Sequence, residues 1–246
     1  KPGSIPIVGP GCQGVVDIFL ERALRMGFLR ILRVGQGPDA DVSWDVLERP
    51  HAIGDPLTMV VHGLREHRVS IVAPSYQAPN VAVAIPTAGA ALFRALDSAV
   101  VAEALGRMTF PGRFEVLRDV PPLVIDGAHN PDAAAVLAGA IAEAFGDALP
   151  LIVLGILADK DAGGIVRALA PVASGFICTQ NGSPRALAPD VLAATVAEVT
   201  GAKPMTAPDV AAAIAHAAAA APDRGVVVTG SLYTAGEARR LFGPQD

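Results

Sequence analysis

The stretch Leu123-Val124-Ile125-Asp126-Gly127-Ala128-His129-Asn130-Pro131-Asp132 decides how the chain is read. Leu123 to Ile125 has the length and branching of a buried strand. Asp126-Gly127 is a turn signal that ends it. Asn130 stands at an N-cap, with Pro131 at the first helical position and Asp132 in the first turn. Ala133 to Phe145 then reads as a helix with Val136, Leu137, Ile141, Ala144 and Phe145 on one face. The chain therefore runs strand, tight loop, helix, and the loop presents an aspartate, a histidine and an asparagine. In open α/β sheets, ligands bind beyond the carboxyl ends of strands, beside helix N-termini.

Working outward, the C-terminal half repeats this pattern. Strands are expected at Leu151–Leu154, Gly175–Thr179 and Gly225–Thr229. Helices are expected over 162–169, 189–199 and 210–221, with a short one after Tyr233. Together with Leu123–Ile125 these make four strand-then-helix units, the pattern of a parallel sheet covered on both faces. Three strand ends carry polar groups: Asp126/His129, Asp159/Lys160/Asp161 and Thr229/Ser231. These fit a ligand edge, and also the general preference of such turns for Gly, Asp and Ser. Gly106 to Pro122 reads as a linker and a strand through Val116-Leu117, with Arg113 beside a glycine hinge and within reach of the same edge.

The N-terminal part differs. Ile5–Val8 and Phe28–Val34 read as strands around a helix from Val15 to Met26. Val42–Leu47, Leu57–Val61 and Val69–Val72 resemble a meander rather than further βαβ units. Helices over 81–96 and 98–105 follow, with Pro86 confined to the opening turns of the first or kinking it, and Asn80 as its cap. Gly9-Pro10-Gly11-Cys12-Gln13-Gly14 matches G-x-G-x-x-G in a strand-to-helix turn. A dinucleotide site would also need an acidic residue after the next strand, which instead ends Leu32-Arg33-Val34-Gly35. Arg33 would suit a 2′-phosphate, Pro10 stiffens the turn, and a plain strand-to-helix turn is the simpler reading.

Totals narrow the classes. The 246 residues allow one large or two modest domains, with mean hydropathy +0.45 raised largely by alanine. No run is long and apolar enough for a membrane helix, and no signal peptide opens the chain. A net charge of −5 argues against nucleic acid as the main partner. Cys12 and Cys178 are far apart and suggest neither a disulfide framework nor a zinc site, which is consistent with a cytoplasmic protein. The chain lacks G-x-x-x-x-G-K-[ST], G-x-S-x-G and H-E-x-x-H. It opens on Lys1-Pro2-Gly3 directly before a strand-like run, as a fragment would, or as numbering from a first ordered residue would.

Five motifs together are more specific. Pro111-Gly112-Arg113-Phe114-Glu115, Asp126-Gly127-Ala128-His129-Asn130-Pro131, Leu157-Ala158-Asp159-Lys160-Asp161, Ser183-Pro184-Arg185-Ala186 and Thr229-Gly230-Ser231-Leu232-Tyr233 resemble the folylpolyglutamate synthase/dihydrofolate synthase family. They occur in that family's order across 107–243, and Gly127 favours this branch of the Mur ligase superfamily over the peptidoglycan ligases.

The resemblance implies an α/β architecture in which 106–246 is the C-terminal Rossmann-like, mostly parallel domain and 1–105 is the latter part of the central ATPase-type domain. It implies a ligase that uses ATP and Mg²⁺ to join L-glutamate to a folate or dihydropteroate carboxylate through an acyl phosphate. The active site would lie between domains, and the protein would be a monomer. It implies that Asn80 and Asp126 contact the adenosine part of the nucleotide and Arg113 its phosphates, and that His129 places glutamate or the acyl phosphate. Ser231 and Asp159 would line the same edge. The family segment G-x-H-Q-x-x-N is here Pro74-Ser75-Tyr76-Gln77-Ala78-Pro79-Asn80. The phosphate loop, the metal ligands and the carbamylated lysine belong to family sequence not in this chain, so by itself the chain is expected to be inactive. Two alternatives stand beside the ligase: a non-catalytic nucleotide- or ligand-binding remnant, and another Mur-ligase-like amide ligase.

Overall fold

The computed structural model describes residues 4–28 and 30–243, which divide into two compact units. One comprises residues up to Pro50 and Asp55–Met108; the other comprises His51–Gly54 and the residues from Thr109. Lys1 to Gly3, and Leu29 within the strand expected over 28–34, lie outside the described residues.

In the first unit, β1 (Ile7–Val8) leads through a 3₁₀ segment (Pro10–Val15) into α1 (Val16–Arg25), and β2 (Leu32–Arg33) returns parallel to β1. The pairing of this second strand is shorter than the sequence suggests. Gly11 and Gly14 have no neighbour within 4 Å of an added Cβ, so neither close packing nor the turn requires glycine there. The meander is present: β3 (Ser43–Glu48), β4 (Pro56–His62) and β5 (His67–Val72) form an antiparallel sheet in sequence order. Two helices follow, α2 (Ala78–Leu92) and α3 (Ser98–Gly106). α2 starts three residues earlier than expected and ends where Phe93 turns left-handed (φ 51°). Pro86 therefore lies in its interior, and Asn80 is its third residue rather than its cap, the N-cap position being Gln77.

The second unit carries a six-stranded sheet. Its elements in order are β6 (Glu115–Asp119), β7 (Pro122–Ile125), α4 (Pro131–Phe145), β8 (Leu151–Leu154), α5 (Ala162–Leu169), β9 (Gly175–Cys178), α6 (Pro189–Thr200), β10 (Met205–Thr206), α7 (Val210–Ala220), β11 (Val226–Thr229) and α8 (Leu232–Phe242). The strand order is β10-β9-β8-β11-β7-β6, parallel throughout except for β6. The short edge strand β10 was not legible as a strand.

Alternation within the strands builds two cores. Val124, Ile152, Leu154, Phe176 and Val227 pack with Leu137 and Ile141 of α4, Ile165 of α5 and Leu192 of α6. Leu123, Ile125, Val153, Ile177 and Val228 pack on the other face with Ile214 of α7 and Ala235 and Ala238 of α8. The inward stripe of α4 is Ala134, Leu137, Ala140 and Ile141, whereas Val136, placed on that face by the sequence, is exposed. A small residue on α5 lets the start of α4 approach it: an added Cβ on Gly164 would stand 2.6 Å from Cγ of Pro131.

β11 comes last yet inserts between β7 and β8, and α4 and α8 leave neighbouring strands toward opposite faces. This divergence is a topological switch point, where the loops leave a crevice. The start of α4 is fixed by Asn130, whose Oδ1 accepts from the Ala133 amide at 2.8 Å. Asn130→Ala is expected to cost about 1 kcal/mol, read as a lower thermal midpoint of the chain.

Candidate functional site

Asp126 is the first residue beyond β7, and its amide still donates to Val228 O of β11 at 3.0 Å. The side chain is buried and faces two backbone donors: Oδ1 accepts from Ala128 N at 2.8 Å and Oδ2 from Phe114 N at 2.9 Å. The second bond reaches the turn before β6, where Gly112 and the non-glycine Phe114 both have positive φ (67° and 49°). Such a backbone persists only when its surroundings over-determine it. Here Gly127 N donates to Gly112 O (2.9 Å), and Glu115 accepts from Gly112 N (2.7 Å) and from Arg239 Nε of α8 (2.9 Å).

The result delivers Arg113. Its guanidinium lies over Gly127, with Nη1 3.1 Å from where a Cβ would be, and the Leu232 side chain at the start of α8 also occupies that space. Glycine at 127 is thus what lets Arg113 and Leu232 close on the loop. Arg113 is exposed and forms no ion pair among the described residues.

His129 is half-buried, and its Nδ1 lies 3.0 Å from Gly127 O. A carbonyl can only accept, so Nδ1 carries a proton toward it and Nε2 is left for other partners. The structure therefore brings Arg113, Asp126 and His129 onto one loop pair. Asn80 belongs to the other unit; it is exposed, and its Nδ2 donates to Oε1 of the buried Gln77 at 2.8 Å.

Asp159 and Ser231 are arranged differently. Asp159 is exposed in the loop after β8, paired with Arg185 at 2.7 Å and Lys160 at 3.4 Å. The Arg185 guanidinium bonded to it holds its carboxyl below the usual carboxylate range. The sign follows: the pair is fully formed above the ordinary carboxyl pKa and is lost as pH falls through the depressed one. Arg185→Ala is expected to return the Asp159 carboxyl titration, followed by NMR, toward its ordinary value. Ser231 is buried and caps α8, its Oγ accepting from Thr234 N at 3.0 Å. Sequence reasoning passed over Asn181 and Thr234, which hydrogen-bond to it. Asn181 belongs to none of the motifs, and no local pattern announces a partner fifty residues away.

Among the described residues no group of three or more His, Cys, Asp or Glu side chains could hold a metal. Burial pushes the Cys178 thiol up to about 12, which leaves it an inert core group. Among the described residues no helix is long and apolar enough to cross a membrane.

The sequence of residues 112–232 matches the family described as Mur ligase, glutamate ligase domain. The chain is 34% identical over 265 aligned residues to a dihydrofolate synthase/folylpolyglutamate synthase of Mycobacterium tuberculosis, covering 99% of this chain and 53% of that one. It is 40% identical over 169 residues to a probable bifunctional folylpolyglutamate synthase/dihydropteroate synthase of Haloferax volcanii, covering 68% of this chain and 20% of that one. Among solved structures, the M. tuberculosis folylpolyglutamate synthase complexed with ADP and AMPPCP superposes with a TM-score of 0.84 at 34% identity, covering 98% of this chain and 55% of that one. The chain thus spans about half the length of the first of these relatives and a fifth of the second.

A mostly parallel sheet with this match, and with these loops at its switch point, is an α/β domain of the Mur ligase superfamily. Within it the chain belongs to the folylpolyglutamate synthase/dihydrofolate synthase family, of which it is the C-terminal portion.

Proposed function

We propose that this chain is part of an ATP-dependent ligase that joins L-glutamate to a folate or dihydropteroate carboxylate. The observation that carries the reading is Arg113 held over the Asp126–His129 loop by three backbone-anchored contacts: Phe114 N to Asp126, Gly127 N to Gly112 O, and Gly112 N to Glu115. A carboxylate is a poor electrophile until one oxygen becomes a leaving group. Phosphorylation by ATP supplies that as an acyl phosphate, which the glutamate amine attacks. A rigid, permanently charged guanidinium suits the transferring phosphate. The nucleotide in the M. tuberculosis structure supports ATP as co-substrate.

In this reading Asn80 and Asp126 serve the adenosine part of ATP and Arg113 its phosphates. The buried Asp126 carboxylate also positions Arg113 through Phe114 N. His129, with Nδ1 committed to Gly127 O, directs Nε2 at glutamate or the acyl phosphate. Asp159 and Ser231 shape the edge, Ser231 from beneath. Residues 1–105 are then the latter part of the central ATPase-type domain and 106–246 the C-terminal domain. Mg²⁺ would accompany the ATP phosphates and neutralise their charge, with its protein ligands expected in family sequence outside this chain.

The test is ADP release by the complete gene product with dihydropteroate or a reduced folate, with and without glutamate. Release that requires both substrates is expected. ADP release independent of them, or none, would sink the reading and favour a non-catalytic binding module.

A further inference from the structure

Asn181, three residues beyond β9, is 4% exposed, and its amide is fully used. Oδ1 accepts from Ser183 N at 3.0 Å, which turns Nδ2 the other way. Nδ2 then donates one hydrogen to Ser231 Oγ (3.2 Å) and the other to Thr234 Oγ1 (3.0 Å). Thr234 Oγ1 spends its own proton on Gly155 O at 2.8 Å. Ser231 Oγ already accepts from Thr234 N, so its proton is left for Thr234 Oγ1 at 2.9 Å. The amide therefore joins the loop after β9 to the start of α8, and Thr234 ties that start to Gly155 after β8.

The turn it holds is the one that carries Arg185. Ser183 Oγ accepts from Arg185 N (3.2 Å), Arg185 O accepts from Ala158 N (2.8 Å), and the guanidinium reaches Asp159. A second tether, Gly182 N to Glu237 Oε1 at 2.7 Å, docks the same turn on α8. A fully satisfied buried network has one arrangement and leaves little freedom to its members.

We propose that Asn181 is a positioning residue of the ligase. It touches no substrate; it sets the spacing between the Arg185 turn and the Ser231 start of α8, so that the edge is arranged before ligands arrive. The inference rests on the ligase reading above. Small misplacements remote from the reacting atoms are enough to cost binding and rate.

The experiment compares Asn181→Ala in the complete protein with Val196→Ala, a buried position of α6 chosen to lower the thermal midpoint similarly. Asn181→Ala is expected to raise KM for at least one of ATP, folate and glutamate about tenfold, with kcat within about threefold. Val196→Ala is expected to leave every KM unchanged. Equal KM values in the two variants would overturn the positioning role. A wild type that never turns over would instead remove the ligase reading, and this role with it.

Amide hydrogen exchange reads the tie without activity. Asn181→Ala is expected to speed exchange at both Ser183 and Thr234, and acceleration at only one of them would overturn the tie. Should the alanine variant fail to fold, the isosteric Asn181→Asp keeps the acceptor for Ser183 N and loses both donors. It is expected to accelerate Thr234 while sparing Ser183; unchanged exchange at Thr234 would contradict the assignment.

Discussion

Replacing Arg113 with alanine is expected to lower ATP-dependent turnover of the complete protein by about a hundredfold or more. The thermal midpoint should move by no more than about 2 °C, the scale of an ordinary surface substitution. The separation of the two effects follows from where the side chain sits. The fold of the loop is carried by backbone and carboxylate groups: Gly127 N on Gly112 O, Phe114 N on Asp126, and Gly112 N on Glu115. None of these is lost in Arg113→Ala. The guanidinium itself is exposed and without an ion pair among the described residues, so removing it strands no buried charge. What is lost is a charged fork aimed over Gly127. Arg113→Lys would keep the charge and lose the fork, and should recover only part of the activity. A large drop in stability with normal turnover would contradict the assignment.

Gly230→Ala should act in the opposite sense, through stability. Gly230 has φ 106°, a region that costs a residue with a Cβ about 1–3 kcal/mol. The new methyl would stand 2.7 Å from Gly155 O and 3.0 Å from its carbonyl carbon, which is backbone and cannot swing away. Relief requires β8 and β11 to part at the carboxyl end, where Gly155 N donates to Thr229 O and Gly230 N to Ala128 O. A loss of about 3 kcal/mol or more is expected, a fall in thermal midpoint of about 6–12 °C in a unit of this size. Circular dichroism melts of the chain would read it. Gly11→Ala, by contrast, meets nothing within 4 Å and should be nearly silent.

The contrast between these two glycine positions also shows what a motif can and cannot say. Gly9 to Gly14 satisfies a well-known pattern in sequence, yet no atom approaches Gly11 or Gly14 closely. Gly127 and Gly230 sit in less conspicuous runs and are held by Leu232, Arg113 and Gly155. Asn80 looked like a cap because it precedes an apolar helical run; the helix instead begins at Ala78, where Gln77 occupies the N-cap position. Ser231 read as an edge residue and is one, but its hydroxyl faces inward to Thr234 and Asn181.

By itself the sequence determined the local order of this protein. The strand at Leu123–Ile125, the stop at Asp126-Gly127, the Asn130 cap and the α4 helix all follow from branching, turn chemistry and capping, which act within a few residues. The meander of the first unit and the strand–helix alternation of the second were legible on the same grounds. Tertiary structure alone decided which loops meet. The insertion of β11 between β7 and β8, and Asn181 reaching Ser231, depend on strand order and hydrogen bonds across distant chain. Those contacts are set by which faces must be buried together, and no window of sequence contains both partners. The Asp126 loop was recognisable as a strand end with Arg113 within reach; the folded chain adds the close fit of Arg113 and Leu232 over Gly127.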